Sequence, residues 1–443
     1  MTIIIAVVLI LLALLGTPLF LIIGAIPLIA SFLQDEPSSV IIGEMFDRIT
    51  GNPNFLAIPL FTFAGYVLAE SKTPQRLVNL SRAVLGWMPG GLAIVALICC
   101  ALFTAFTGAS GVTIIAIGGL LFPVLLKEQY PEKFSLGLLT SSGSLGLLFP
   151  PSLPIIIYGV VANSLFTNFN PIELSKVGMG PNEAPTIDNL FKACLLPGLL
   201  LILLLALYSS FKSQRAKIEK LPFSWQNLWR AARDAIWELP LPIIIIGGIY
   251  GGYFTATKAA AVTAFYVLVA EVFVYRDLSL TRDIPRIMKE SMLLVGSILL
   301  IIGMAFGLTN YLVVQEIPKQ IIDAMETFTT SKITFLVMLN VFLLIVGCMM
   351  DIFSAIVVVI PLIMPVAVLN FGVNPIHLGV IFLLNLEIGY STPPVGLNLF
   401  ISSFRFKKPV IKLYVAAIPF LIILLFALLI VTYFPQLSLW LVN

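Results

Sequence analysis

Charged residues are scarce in this sequence. Asp, Glu, Lys and Arg together make up 11% of its 443 residues, whereas a soluble globular domain carries roughly 25%. Hydrophobic residues account for 59%, and the mean hydropathy is +1.07. This composition excludes a soluble globular domain and indicates a polytopic membrane protein. The net charge of +3 does not indicate nucleic-acid binding, because the charges lie in loops between apolar runs.

Histidine and cysteine are also rare. His377 is the single histidine, and Cys99, Cys100, Cys194 and Cys348 lie in apolar surroundings without disulfide or metal-site spacing. An enzyme would need a nucleophile–base pair or a metal cluster, and no such set converges in the sequence, so we expect no enzymatic activity. The N-terminus has no Lys or Arg before its apolar run and no clear cleavage site after it. We therefore predict a retained helix rather than a signal peptide.

Two apolar segments are interrupted in the same way, far apart in the chain. Residues 143–152 and 388–396 each combine Gly, small hydroxyl residues and a double Pro. Gly and Pro-Pro interrupt a helix, and the backbone groups that come free must face protein, water or a ligand, because lipid cannot satisfy them. The flanking apolar runs are shorter than the roughly 20 residues that a spanning helix needs. We therefore predict two broken transmembrane segments, 134–165 and 376–404, a pairing typical of transporter binding sites.

Lysine and arginine concentrate in a few loops, and these residues set membrane orientation. The basic loops, which we place in the cytoplasm, are 72–82, 127–133, 212–233, 276–289 and 405–412. The other loops, which we place outside, are 34–52, 166–190, 312–332 and 370–375. Amphipathic stretches, predicted to be interfacial or to be solvated linker helices, are 38–49, 74–88, 222–237, 281–290 and 315–328.

The sides of the membrane to which these loops are assigned predict an inverted repeat. Segment 91–126 starts and ends inside as a hairpin, and the broken segment 134–165 then crosses outward. Segment 333–369 starts and ends outside, and 376–404 then crosses inward. A hairpin followed by a broken helix thus occurs twice with opposite orientation, as in many secondary transporters. Parity does not distinguish a re-entrant hairpin from two full spans.

The predicted fold is an all-α polytopic membrane protein in five parts. These are an N-terminal scaffold and arm (1–90), a first hairpin with its broken helix (91–165), an outer loop with scaffold and interfacial helices (166–332), a second hairpin with its broken helix (333–404) and a C-terminal scaffold helix (405–443). The two hairpin units together form a predicted transport domain.

The hairpin tips have unusual chemistry. The first turns at residues 107–111, with two Gly and two hydroxyl residues, and the second turns at 347–354, with Asp351. We predict that both tips are buried at membrane depth, with helix N-termini suited to an anion and unwound carbonyls suited to a hard cation. The small residues of the first tip could equally mark close helix packing.

Several polar residues near these elements have two readings each. Asp351 could cap the helix that starts at Ile352 or belong to the transport site. We assign Glu387 to a scaffold contact or a water-filled gap. Asn385 and Asn398 could hydrogen-bond across the break or contact a ligand.

Five stretches carry a family resemblance. They are residues 56–61, 89–93, 143–152, 374–379 and 385–399. These stretches occur in the same order as in the family and across almost the whole length of the chain. Through them the chain resembles the DctM-like large membrane subunit of tripartite ATP-independent periplasmic (TRAP) transporters.

The resemblance implies an elevator-type secondary transporter of the ion-transporter superfamily, located in the bacterial or archaeal cytoplasmic membrane. It implies Na⁺-driven uptake of a carboxylate-bearing solute, an organic acid or a sialic or sugar acid, delivered by a periplasmic binding protein. It also implies a smaller four-helix membrane partner on a separate chain. Loop 166–190, longer than is usual in the family, is either a docking feature or a passive insertion.

The resemblance further implies site residues, with sodium as the coupling ion. The first sodium site falls on Thr107, Ser110, Gly146, Phe149 and Pro150. The second falls on Gly347, Gly389, Thr392 and Val395. The substrate site falls on Ser110, Asp351, Thr392 and Asn398.

Two other kinds of transport protein remain as alternatives. A stand-alone ion-coupled organic-anion symporter or antiporter of the same superfamily would have the same inverted hairpins and would need no binding protein. A passive channel would show sodium-independent, non-saturable flux.

Overall fold

The computed structural model describes residues 19–33, 49–216, 222–315 and 331–442, together with positions 17, 42–43 and 46–47. Within these ranges every regular element is helical, which confirms the predicted all-α class. The predicted N-terminal helix is described from Leu19 onward. Almost all of the amphipathic stretch 315–328 and most of the outer loop 34–52 lie outside the described residues.

Three longer helices precede the first hairpin within the described residues. They are α1 (Leu19–Leu33), α2 (Ala57–Glu70) and α3 (Thr73–Leu85). A short 3₁₀ turn, Pro53–Leu56, leads into α2, and the chain bends by 73° between α2 and α3. The helix α3 corresponds to the predicted amphipathic stretch 74–88.

The first predicted unit is present as a hairpin followed by a broken helix. Its helices are α4 (Gly91–Thr107), α5 (Ser110–Lys127), α6 (Glu132–Ser142) and α7 (Leu153–Phe166). The broken helix bends by 43° between its two halves, because the Pro-Pro pair and its flanking Gly residues interrupt the hydrogen-bond ladder.

Four longer helices of the described ranges lie between the two units. They are α8 (Ile187–Arg215), α9 (Trp225–Asp234), α10 (Ala256–Val274) and α11 (Asp283–Val314), with short helical pieces at Pro171–Lys176 and 240–250. Trp225 and Trp229 on α9 are exposed, as an interfacial helix requires. The prediction of a separate interfacial helix at 281–290 is wrong, because α11 runs through it without a break. Residues 286–295 contain neither Pro nor Gly, so the helix continues from its polar first turns into its apolar part.

The second unit repeats the pattern of the first. Its helices are α12 (Lys332–Met349), α13 (Ile352–Asn370), α14 (Pro375–Gly389) and α15 (Leu397–Phe406), followed by α16 (Val410–Tyr433) and a last turn, Gln436–Leu439. Among the described helices, α5, α8, α10, α11, α12, α13 and α16 are long and apolar enough to cross a membrane, and the count rises to nine if each bent pair is one span.

The five basic loops meet at one end of the molecule. Four contacts join them: Lys72 with Asp277 at 3.5 Å, Arg82 with Glu128 at 3.0 Å, Lys408 with Glu132, and the hydroxyls of Ser213 and Tyr130 at 3.4 Å. Loops that the charge pattern assigns to the same side are therefore in contact.

A buried ion cluster joins α3 to the end of α10. The Arg76 guanidinium contacts Glu238 and lies 2.9 Å from Glu271 and 2.6 Å from Asp277. The Arg76 side chain is 11% exposed and the three carboxylates are nearly inaccessible. Removing one partner from such a cluster leaves buried charge uncompensated, so the cluster holds this side of the molecule together.

Candidate functional site

The first hairpin turns through a single glycine. Gly108 has φ +65°, and its N–H donates to the carbonyl of Thr104 at 2.7 Å, which ends α4 at Thr107. Gly is favoured at such a C-terminal position because it carries no Cβ. Ala109 is extended, and α5 begins at Ser110. Thr107 and Ser110 are buried, so the last carbonyls of α4 and the first N–H groups of α5 meet inside the protein.

The first break lies in the middle of the broken helix. After α6 the chain forms a 3₁₀ turn at Leu145–Leu148, passes through Phe149 in an extended conformation and reaches the cis Pro150–Pro151 bond before α7 starts. The Phe149 ring lies against α8, where a Cβ added to Gly198 would come within 2.8 Å of it. The break is thus fixed between the hairpin and a long spanning helix.

The first tip and the first break touch each other. A Cβ added to Gly146 would lie 2.1 Å from the carbonyl oxygen of Ala101 and 2.4 Å from the amide nitrogen of Ala105. A Cβ on Gly108 would meet the side chain of Leu153 at 2.7 Å. The tip therefore meets the middle of the broken segment and not its far end.

The second tip is only partly buried. Gly347 is buried, but Met349 is 66% exposed and Asp351 is also exposed. The prediction that both tips are buried is therefore wrong for residues 349–351. The Asp351 Oδ1 accepts hydrogen bonds from the N–H groups of Phe353 and Ser354 at 3.0 Å each, so the carboxylate caps α13. A carboxylate without a paired cation is costly to bury, and this one stays accessible.

The second break contacts the second tip in the same way as the first pair. A Cβ added to Gly389 would lie 2.5 Å from the carbonyl carbon of Gly347. Beyond the cis Pro393–Pro394 bond, Gly396 has φ +55° and its N–H donates to the carbonyl of Cys348 at 3.1 Å. Each hairpin tip is therefore held by the break of its own unit.

Two further side chains order the second break. The Tyr390 hydroxyl accepts the N–H of Ile352 at 2.6 Å, at the start of α13. The Thr392 hydroxyl donates to the carbonyl of Ile388 at 2.8 Å. Val395 is exposed together with the two prolines, so this break is accessible.

Asn398 joins the two units. Its Nδ2 lies 3.2 Å from the Ser144 hydroxyl and 3.5 Å from the carbonyl of Thr140, and the Thr140 hydroxyl donates to Ser402 at 2.9 Å. The Oδ1 of Asn398 is buried without a hydrogen-bond partner among the described residues. Of the two interpretations of Asn398, the structure shows the hydrogen bond across the breaks. The Oδ1 acceptor of this side chain remains without a partner among the described residues.

Asn385 lies elsewhere. Its Nδ2 donates to Asn340 Oδ1 at 2.7 Å and to the carbonyl of Ile381 at 2.8 Å, and the Nδ2 of Asn340 reaches the Thr432 hydroxyl at 3.2 Å. This chain of contacts ties α14 to α12 and α16. The Nδ2 of Asn385 therefore serves helix packing, while its Oδ1 is buried without a hydrogen-bond partner among the described residues.

The predicted residues fall into two groups that the fold assembles. At the first tip and break are Thr107, Ser110, Gly146, Phe149 and Pro150. At the second tip and break are Gly347, Asp351, Gly389, Thr392 and Val395. Asn398 connects the second group to the first. The arrangement brings oxygen-bearing groups of both units close together.

Sequence reasoning missed the polar contacts between the units. Thr140 and Ser144 belong to a stretch rich in hydroxyl residues at 140–144 inside an apolar segment. This concentration of hydroxyl groups is the sequence feature that indicates a buried polar contact. Glu387 is fully buried, and neither of its carboxylate oxygens has a hydrogen-bond partner within the described ranges. Its backbone carbonyl lies 3.5 Å from the Ser144 hydroxyl.

Comparison with known proteins gives matches along nearly the whole chain. The family model described as "Tripartite ATP-independent periplasmic transporter, DctM component" matches residues 3–437. The C4-dicarboxylate TRAP transporter large permease protein DctM of Rhodobacter capsulatus is 36% identical over 445 residues, covering 98% of this chain and 97% of that protein. The isethionate TRAP transporter permease protein DctMQ of Oleidesulfovibrio alaskensis is 35% identical over 387 residues, covering 87% of this chain and 57% of that protein.

A solved structure shares the fold. The YdaH transporter of Alcanivorax borkumensis superposes with a TM-score of 0.60 at 13% sequence identity, covering 89% of this chain and 87% of that one. At this identity the likeness concerns the fold alone. It places the two hairpin units within an all-helical transporter architecture that has been solved before.

Proposed function

The chain belongs to the DctM family of tripartite ATP-independent periplasmic (TRAP) transporters, and on that premise we propose that it couples sodium entry to the uptake of a small anionic solute. As a large permease subunit it is a multi-pass protein of the bacterial inner membrane and a transport component rather than an enzyme. Large subunits of this family work with a small membrane subunit and a periplasmic binding protein.

The observation that carries the proposal is the pairing of each hairpin tip with its own break. Gly146 lies against α4, Gly389 lies against Gly347, and Asn398 joins the two pairs through Ser144. Two units that meet at their tips and breaks would bring helix C-terminal carbonyls and helix N-terminal N–H groups together. These are the groups that hold hard cations and anions in transporters built from broken helices.

Sodium would be held mainly by backbone oxygen atoms. The carbonyls of Gly146 and Phe149 each accept one N–H bond at the first break, and the carbonyl of Gly389 accepts one at the second. A carbonyl oxygen has two lone pairs, so each of these retains one for a cation. The remaining members would be Thr107, Ser110 and Pro150 in the first site and Gly347, Thr392 and Val395 in the second.

The anion would lie between the two sodium sites. Ser110 begins α5 and its hydroxyl could donate to the anion, and Thr392 lies in the second break. The unpartnered Oδ1 of Asn398 is an acceptor, so it would take a hydrogen bond from a hydroxyl group of the solute and not contact the charged group itself. Asp351 acts here as a positioning residue, because its carboxylate caps α13 and so fixes the start of that helix at the second tip. C4-dicarboxylate and isethionate, the solutes named for the two relatives, carry carboxylate and sulfonate groups, so we propose an organic acid or a sugar acid as the solute.

Transport would follow an elevator mechanism. Both hairpins and both broken helices (91–165 and 333–404) would move together, while the long helices α8, α10, α11 and α16 remain as the scaffold. The solute would be delivered by the binding protein, and the small subunit would pack on the scaffold. Loop 166–190 is a candidate docking surface on the side opposite the basic loops.

Reconstitution tests the tripartite assignment. The chain and its small subunit are placed in proteoliposomes, and uptake of a labelled C4-dicarboxylate is followed with and without the purified binding protein. We expect uptake only when the binding protein is present and saturable dependence on its concentration. Uptake of the free solute by the large chain alone would support the stand-alone symporter instead, and non-saturable flux would support a channel.

A further inference from the structure

A groove opens at the basic end of the molecule between α6, α8 and α16. Its cavity volume is about 400 Å³, and its floor is formed by aromatic rings from all three sides. The floor residues are Tyr130, Phe134, Tyr208 and Phe420, and the rim carries Lys133, Lys212 and Arg215. An apolar floor under a basic rim is suited to an amphiphilic anion.

The floor is a packed aromatic cluster. The Phe134 ring lies 5.6 Å from Phe420 and 6.2 Å from Tyr208, and Tyr208 meets Phe420 edge to face at 5.3 Å. Tyr130 stacks on Phe134 at 5.9 Å. Such contacts fix the rings in place, so the shape of the groove is set before anything binds.

The rim charges have no acidic partner within the part of the chain that the structure describes. Among the described residues Lys133, Lys212 and Arg215 form no ion pair. The nearby acids are engaged elsewhere, since Glu132 contacts Lys408 and Glu128 contacts Arg82. The Arg215 guanidinium lies 4.3 Å above the Phe211 ring, which leaves its N–H donors free for an anion.

The groove is continuous with the apolar outer surface. On α8 the side chains of Leu203, Leu207 and Phe211 are exposed at successive turns and lead up to Arg215. Ile418 and Ile422 are exposed in the same way on α16 beside the groove. A lipid chain can lie along these stripes while its headgroup reaches the basic rim.

We propose that this groove binds an anionic phospholipid of the cytoplasmic leaflet. The phosphate is held by Lys133, Lys212 and Arg215, and an acyl chain passes over Tyr208 and Phe420 toward the bilayer. The aromatic floor favours a lipid over a soluble anion, and the uncompensated charge favours an anionic over a zwitterionic headgroup. The proposal is independent of the sodium sites, because none of its residues belongs to them.

Native mass spectrometry of the purified chain tests the proposal. The chain is titrated with phosphatidylglycerol, with phosphatidylcholine and with inorganic phosphate, and retained adducts are counted. We expect preferential retention of phosphatidylglycerol and an affinity lower by at least about tenfold in the triple variant K133Q/K212Q/R215Q. The matched control is R233Q/R282Q/K289Q, which removes the same charge from exposed residues of the basic side and should bind like the parent.

Three results would overturn the proposal. Equal retention of the two lipids would exclude headgroup recognition. An equal loss in the control variant would show general surface attraction, and retention of phosphate at the same strength would show a soluble-anion site. Thermal unfolding of both variants in detergent is followed in parallel, so that a misfolded triple variant is recognised; in that case the single substitutions replace it, each expected to weaken binding several-fold.

Discussion

Gly389 lies directly against Gly347, and a Cβ added to Gly389 would come within 2.5 Å of the Gly347 carbonyl carbon. The contact joins the end of α14 to the second hairpin tip. Both residues belong to the second proposed sodium site, so this close approach sets the spacing of the carbonyls that would hold the ion. The corresponding contact in the first unit is between Gly146 and the α4 backbone.

The first prediction concerns this contact. Gly389→Ala should reduce sodium-stimulated uptake at least about tenfold, because the added methyl group meets backbone that cannot move aside as a side chain can. Uptake in proteoliposomes measures the effect, and size-exclusion chromatography reports on folding. Gly296→Ala is the matched control, since no atom lies within 4 Å of its added Cβ; equal activity of the two variants would remove the basis of the assignment.

The second prediction concerns Thr392. Thr392→Val should weaken the apparent affinity for sodium about tenfold, as expected when a hydrogen-bonding oxygen near a charge is lost, whereas Thr392→Ser should stay close to the parent. Sodium titration of uptake measures both. Thr167→Val controls for the loss of a similar hydroxyl–carbonyl bond, from Thr167 to Ser164 at 3.1 Å, far from the breaks. A Val variant with unchanged sodium dependence would exclude Thr392 from the site.

The third prediction separates the two roles of Asp351. Asp351→Asn should keep most of the uptake, because Asn caps a helix about as well as Asp, whereas Asp351→Ala should lose about 1 kcal/mol of stability with the cap. Uptake and thermal unfolding are measured for both variants. A stable Asn variant without uptake would show that the charge itself takes part in transport.

The fourth prediction concerns the bond between the units. Asn398→Ala and Ser144→Ala should couple by about 0.5–1.5 kcal/mol in a double-mutant cycle of unfolding free energies, because one hydrogen bond joins the two side chains. The cycle of Asn398→Ala with Thr167→Ala, at a distant exposed loop, should be additive. Additive effects in the first cycle would show that the 3.2 Å contact carries no coupling energy.

The fifth prediction concerns the buried ion cluster. Arg76→Gln should destabilise the protein by roughly 3–5 kcal/mol, because Glu238 and Glu271 would stay buried without their cation. Lys72→Gln is the control, since Lys72 also contacts Asp277 but is 74% exposed and its pair contributes less than about 1 kcal/mol. Thermal unfolding in detergent compares the two, and similar shifts would contradict this account of the cluster.

The sequence predicted the larger architecture because its signals are local. Charge in the loops and Gly or Pro in apolar runs placed both hairpins and both broken helices, with the first turn at Gly108 as expected. The helix α11 was divided wrongly at 281–290, since a polar first turn of a spanning helix looks like an interfacial helix in sequence.

The contacts between the units could not be predicted from one sequence. The bond from Asn398 to Ser144 joins residues 254 positions apart, and no periodicity relates them. The exposure of Met349 and Asp351 likewise depends on which helices cover the second tip. The sequence left two interpretations of Asp351, a helix cap or a member of the transport site, because an Asp directly before a helix is compatible with both.

The sodium dependence of solute accumulation tests the central claim most directly. The large chain, its small subunit and its binding protein are reconstituted, and accumulation of the labelled solute is measured under an inward sodium gradient, an inward potassium gradient and a proton gradient of equal size. The account predicts accumulation above the external concentration with sodium alone, and its loss when an ionophore collapses the sodium gradient. Equal accumulation under potassium or under the proton gradient would contradict it.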